Sequence, residues 1–498
     1  MTTHYGRDDR EREARETDAL LPRREDEDDR DSGKAGFGLG VGGGFTWLLG
    51  VLLLSSVARG ASMHARFEHY QDEFCPTSHP DSPCGYFAPY FHLPGFTLWT
   101  DFTSRFAAFV VSFVSIGFWS QLGDTRGRRP VLLGVVLGTV VFDLLFHAVA
   151  LAGPALGEEE KRDVLSIAFI VQGLLGGWPA FFGAVNAYTV DVARPSSRLV
   201  LFGIVEAVGM VGVVFGGALG AAIRSFRYTY LFSALLGAVN AGIVWRLLPD
   251  SKPQPPTDRY EHVQRREESL VASVFVPFTV LFPGSGKALP LLGVASYAYS
   301  LTGALETSML RYTELYAYPG SSGRTPILWV IYLLPRILTL ATLLLLPRLL
   351  PRSPRAGLHV PHELTRTSLL LLLLLPLTIT LFCARVGDHT GAPVLYAVCA
   401  LLLPSIARLP ALGTRALAVG FLERAGRGRD VGTLMGALAL WAELGAAISY
   451  VDLSYAGAGM FMETGVWAFI ALVCVMPDPP APVPVAPVGE GERRRPEA

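Results

Sequence analysis

The chain has 498 residues, of which 51% are hydrophobic and 17% charged, with a mean hydropathy of +0.38 and a net charge of -1. A soluble domain carries about 25% charged residues, so a single large water-soluble core is excluded, and a balanced net charge offers nothing to a nucleic-acid partner. Charge collects in residues 1–34 and in short stretches between long apolar runs, as in a chain threaded repeatedly through a bilayer.

Residues 1–44 form a charged, then glycine-rich tail with no apolar run to serve as a cleaved signal, and are expected to be disordered. Within them Glu16, Leu20 and Leu21 have the spacing of an acidic dileucine sorting signal, which a sorting adaptor would read; the alternative is a plain tail. Apolar stretches long enough to span a membrane follow at 45–63, 97–119, 131–152, 164–190, 199–222 and 228–248. The loop after the first holds Cys75 and Cys84, which form a local disulfide if that loop faces an oxidising compartment and stay free thiols otherwise. Their spacing has no zinc geometry, and no metal or other cofactor is expected.

A polar stretch, 249–287, precedes six more spans at 288–308, 326–347, 367–384, 393–420, 432–450 and 459–476, and a Pro-rich tail, expected to be disordered, occupies 477–498. The expected fold is all-α and polytopic, with about twelve transmembrane helices in two six-helix bundles, 45–248 and 288–476. Pro404, Arg408 and Pro410 predict a kink or break in the tenth span. The bias of Lys and Arg toward alternate loops puts the loop at Arg126–Arg129, the central loop and both termini in the cytoplasm.

The most specific local pattern is Ser120-Gln-Leu-Gly-Asp124-Thr-Arg126-Gly127-Arg128-Arg129-Pro130, between the second and third spans. Gly127 permits a tight reversal, and the Asp and Arg residues can cross-link helix ends on one face of the membrane, a latch made and broken as two halves rock. This stretch resembles the signature loop of the major facilitator superfamily, with Ser120 in place of its first glycine. The resemblance implies that Arg128 pairs with Asp191, at the end of the fourth span, and that Asp124 meets the start of the eleventh span near Gly432. In the second half, PRLLPRSPRAG is a faded copy without the acidic residue. On the fifth span Gly209, Gly212, Gly216 and Gly220 recur at helical spacing, which lets two helices approach closely; VFGGALG also resembles the superfamily's antiporter motif. The register around Glu206 and Asp124 resembles the proton-coupled folate transporter branch and its uncharacterised fungal relatives, where an acidic residue on the fifth helix is implicated in proton coupling.

Asp101, Arg105, Asp143, His147, Glu206, Glu306, Arg336, Arg408, Glu443 and Glu463 all fall within predicted spans. A charge at mid-bilayer costs about 2.5–3.5 kcal/mol, so these groups must face one another or a wet cavity. Glu206 and Glu443 are the leading proton-coupling candidates; Asp143 and His147, four residues apart, form either a proton relay or a structural pair. Arg336 and Arg408 can contact an anionic cargo or balance the glutamates. Trp178, Tyr188, Tyr297 and Tyr299 either line a cavity or pack.

The function expected is secondary active transport of a small solute by alternating access, driven by protons, with symport and antiport both open and an organic anion or xenobiotic as cargo. The alternative is a non-transporting nutrient sensor or sorting adaptor on the same fold. No hydrolase, metalloprotease or Walker motif occurs, so an enzyme is not expected. The expected host is the plasma membrane or a vacuolar or endolysosomal membrane.

Overall fold

The computed structural model describes residues 43–74, 95–153, 155–223, 225–251, 275, 279–281, 288–301, 334, 336–345, 359–386, 391–452 and 459–475. Their regular elements are all helical. The first half contributes α1 (Gly43–Phe74), α2 (Gly95–Arg126), α3 (Arg128–Ala152), α4 (Glu158–Leu174), α5 (Gly177–Val192), α6 (Arg198–Ile223) and α7 (Phe226–Arg246). The second contributes α8 (Ala288–Leu301), α9 (Arg336–Leu345), α10 (His359–Val386), α11 (Gly391–Arg424), α12 (Val431–Asp452) and α13 (Gly459–Val475). Six stretches of the described residues are long and apolar enough to cross a membrane. Large apolar side chains such as Leu151, Phe215, Leu235 and Val239 point outward, as suits a molecule whose solvent is lipid. The chain is an all-α, multi-pass membrane protein built as two bundles.

One span is divided, and another keeps its helical run through two prolines. The fourth, read as one run over 164–190, is divided into α4 and α5 at Gly176 and Gly177, whose φ angles of 95° and 56° lie in the left-handed region. α2 braces the break: Ser115 Oγ donates to the Gly173 carbonyl at 2.8 Å and Trp119 Nε1 to that of Leu174 at 2.9 Å. The tenth span is unbroken, since α11 runs continuously through Pro404 and Pro410. Prolines are tolerated inside membrane helices where neighbours accommodate the freed backbone groups.

The glycine pattern on α6 acts against α1. A Cβ on Gly216 would sit 2.8 Å from the Val57 carbonyl carbon, and one on Gly212 2.9 Å from the Leu53 carbonyl oxygen, so the two helices meet backbone to backbone. Gly60 receives α6 from the other side. Gly209 leaves ordinary contact distances, and Gly220 is buried on the same helix. The tails, most of the central loop, and the faded repeat around 347–357 lie outside the described residues, as do Glu16, Leu20, Leu21, Cys75 and Cys84.

Between the halves, α12 packs against α2 and α5, and α11 against α6. One apolar cluster continues from Ala187, Val190 and Phe202 into Ala295, Leu412, Leu434 and Leu438.

Candidate functional site

At one end of the bundle, α2 turns into α3 through a single residue, Gly127, with φ 93°. A Cβ there would stand 3.3 Å from Asp250 Oδ1. The reversal brings Asp124 and Arg128 together at 2.8 Å, and Arg128, only 1% exposed, also reaches Asp191 through Nε at 3.0 Å. Across the boundary between halves, the Asp124 carboxylate accepts the Gly432 and Thr433 backbone N–H groups at 2.9 Å each and the Thr433 hydroxyl at 2.7 Å. These are donors at the N-terminus of α12, where a helix presents unsatisfied N–H groups and partial positive charge. Asp191 accepts a further bond from Ser251 Oγ at 2.7 Å, Tyr188 donates to the Pro249 carbonyl at 3.0 Å, and Arg129 donates to that of Trp245. Tyr188 thus packs at the latch rather than lining a cavity. The segment leaving α7 is folded into the latch along with both helix ends.

Ser120, where the signature loop has glycine, lies against Gly436 of α12, on which a Cβ would collide with its hydroxyl. A Cβ on Gly183 of α5 would meet Gly436 Cα at 3.1 Å. The small residue that lets α12 approach α2 is therefore on α12. Only a narrow crevice, far too small for a cargo, remains beside Arg128, lined by Trp119, Ser120, Gly183 and Gly432 among others.

Two ion pairs join α6 to α11. Arg198 and Glu423 form a bidentate pair at 2.7 and 2.8 Å at the latch end. Eight residues further along each helix, Glu206 is hydrogen-bonded and ion-paired to Arg415, with side chains 10% and 16% exposed. Eight residues advance a helix about 12 Å, which carries this second pair toward membrane depth. The polarity is reversed between the rungs: base on α6 at the mouth, acid on α6 inside. Arg408, seven residues before Arg415 and on the same face of α11, acts on Glu206 through its charge and is exposed. Arg415 and Glu423 were not singled out in the sequence; the seven-residue interval from Arg408 to Arg415 was the available signal.

Residues 100–450 match the Major Facilitator Superfamily. The chain belongs to that superfamily. Among curated relatives, it is 33% identical over 135 residues to the tetracycline resistance protein, class C, of Escherichia coli, and 25% identical over 136 residues to a probable peptide/nitrate transporter of Arabidopsis thaliana. Each match takes in 26% of this chain and 30% or 25% of the relative, respectively. The fold resembles the crystal structure of the human organic anion transporter MFSD10 (TETRAN), with TM-score 0.59, 16% identity, and 86% of this chain and 97% of that one covered. It also resembles the E. coli fucose:proton symporter FucP, at TM-score 0.57 and 12% identity, with coverage of 86% and 97%. A bacterial homologue of the iron transporter ferroportin gives TM-score 0.58 at 14% identity, covering 86% and 96%.

Other residues singled out in this superfamily member fall elsewhere. Asp143 and His147 share α3 without meeting: His147 Nδ1 is 2.9 Å from the Arg227 carbonyl, while Asp143 is bonded by Ser62 and Ser233, each at 2.5 Å. The relay read from their spacing is not formed, because tertiary partners take both groups. Asp143 is enclosed within the first half. Glu443 is half-buried on α12 and Arg336 exposed at the start of α9; no described contact joins either to the Glu206–Arg415 pair. Tyr299 shares the electrostatic surroundings of Arg415 and Glu206, whereas Tyr297 packs edge-on against Trp441 and Trp467. The Arg59 guanidinium lies 3.8 Å over the Trp178 ring, on α5 just past the break in the fourth span. The side chains of Asp101, Arg105, Glu306 and Glu463 lie outside the described residues.

Proposed function

We propose that this protein is a proton-coupled secondary transporter that carries a small organic anion by alternating access. The observation behind this reading is the Glu206–Arg415 pair, an acid on one half bonded to a base on the other, both within stretches read as membrane spans. A carboxylate can hold such a bond ionised and release it on taking a proton, so protonation and separation of the halves become one event. With Asp124 on α12 and Arg198 on Glu423, the latch end is closed in this state, and those contacts must break for that end to open.

The anion reading rests on the surplus of guanidinium groups over carboxylates near Glu206. Arg408 is exposed beside the pair, and Arg59 lies over a flat aromatic face that would suit a conjugated cargo. Neighbours of the same fold include an organic anion transporter and a fucose:proton symporter, and the Glu206 register suits the folate-transporter branch. Domain limits at 45–248 and 288–476, cytoplasmic termini, a latch facing the cytoplasm, and a plasma or endolysosomal membrane complete the proposal.

In proteoliposomes exposed to a panel of organic anions, folate among them, under an imposed pH step, wild type should accumulate at least one. Glu206→Gln should lose pH-driven accumulation and retain part of the exchange between preloaded and external cargo. Unchanged pH dependence in Glu206→Gln would remove this residue from the mechanism.

A further inference from the structure

Within the first half, α1, α3 and α7 enclose a polar seam that the latch and the Glu206–Arg415 pair do not use. Asp143, on α3, is 2% exposed. Its Oδ1 accepts the Ser62 hydroxyl of α1 at 2.5 Å, and its Oδ2 accepts the Ser233 hydroxyl of α7 at 2.5 Å. Ser233 Oγ is also 2.9 Å from the Ala58 carbonyl of α1, with geometry to donate there. A hydroxyl has one proton to give, so Ser233 serves Asp143 or Ala58, never both.

Each arrangement corresponds to one charge state of Asp143. An ionised carboxylate takes a proton from both serines. A neutral carboxylic acid must donate its own O–H, and Ser233 Oγ is in place to accept it; the Ser233 proton then turns to the Ala58 carbonyl. One proton is gained from solvent, no other group changes charge, and every polar atom stays bonded in both states, as burial requires.

We propose that Asp143 is a proton-binding site of this protein and that Ser233 is the hydroxyl whose rotation reports its charge state to α1. The charged and titratable neighbours are consistent with that role. Arg66 on α1 acts on Asp143 through its charge while its Nε meets the Ser62 carbonyl at 3.4 Å and its guanidinium lies over Phe142. His69, also on α1, stacks on Phe226 and approaches Tyr230. His147 on α3 is bonded to the Arg227 carbonyl on α7, and α4 presents the apolar Leu165 and Phe169 to this cluster. The reporting bond ends at Ala58, whose successor Arg59 covers Trp178.

The test is pH-difference infrared spectroscopy of the full-length protein in lipid, which needs no cargo and is therefore independent of any transport result. Acidification should raise the carboxylic-acid C=O band, a component of which is lost in Asp143→Asn and retained in Glu206→Gln. Ser233→Ala should shift that component's frequency, and Ser233→Thr, which restores a hydroxyl, should return it. A full band in Asp143→Asn overturns the proposal, as does its complete loss in Glu206→Gln. Should Asp143→Asn fail to fold, a Ser233→Ala spectrum superimposable on wild type overturns it equally.

Discussion

Replacing Asp124 with asparagine removes the charge that holds α12 to the turn between α2 and α3 while keeping the size of the side chain. In wild type the two carboxylate oxygens accept both backbone N–H groups of Gly432 and Thr433 and the Thr433 hydroxyl. Asparagine keeps one accepting oxygen and presents an NH₂ where the other was, so at least one N–H at the start of α12 faces a donor. A charge-assisted hydrogen bond contributes about 1.5–3 kcal/mol, and an anion at a partly buried helix N-terminus up to about 2 kcal/mol. Since one acceptor survives, the net loss should be about 2–4 kcal/mol, or roughly 30- to 1,000-fold in the equilibrium between latch-closed and latch-open states. Arg128 keeps its bond to Asp191, so the first half should stay folded. Spin labels at the exposed positions Arg126 and Ala425, one in each half, report the separation directly. The expected result is a population moved toward the longer distance, with cargo affinity changed far less than turnover. A folded Asp124→Asn protein with the wild-type distance distribution would refute the latch.

Arg415→Met should leave Glu206 enclosed without its partner and cost roughly 3 kcal/mol, the low end for breaking a buried pair because Arg408 still acts on the carboxylate. Adding Glu206→Gln should recover most of that in denaturation of the purified protein, and strictly additive losses would show that the two side chains are not coupled. Gly216→Ala should destabilise the α1–α6 contact by about 1–3 kcal/mol, because the atoms in its way are backbone. The adjacent Gly217→Ala, whose Cβ would lie 4.0 Å from the Gly60 carbonyl oxygen, should change thermal stability little; equal losses from the two would sink the packing argument.

The latch shows how far a local motif reaches. Asp124, Gly127 and Arg128 were legible because their stretch resembles the superfamily's signature loop, which also implied Asp191 and the start of α12 as partners. The α6 glycines were legible because helical spacing alone puts them on one stripe. Asp143 and His147 show where this reading stops. Four-residue spacing places them on the same side of α3, yet Ser62, Ser233 and the Arg227 carbonyl, far away in sequence, claim their hydrogen-bonding atoms. Ser120 is a milder case, since the glycine that relieves it, Gly436, is supplied by another helix in the other half.

Composition and periodicity by themselves determined that the chain crosses a membrane many times and where most spans lie, because lipid imposes length and apolarity locally on each segment; the latch loop was picked out by its motif. Only the tertiary structure decided that Arg415 is the partner of Glu206 and that Asp143 is enclosed within one half. Those choices depend on which helices become neighbours, and no property of a single helix contains that information.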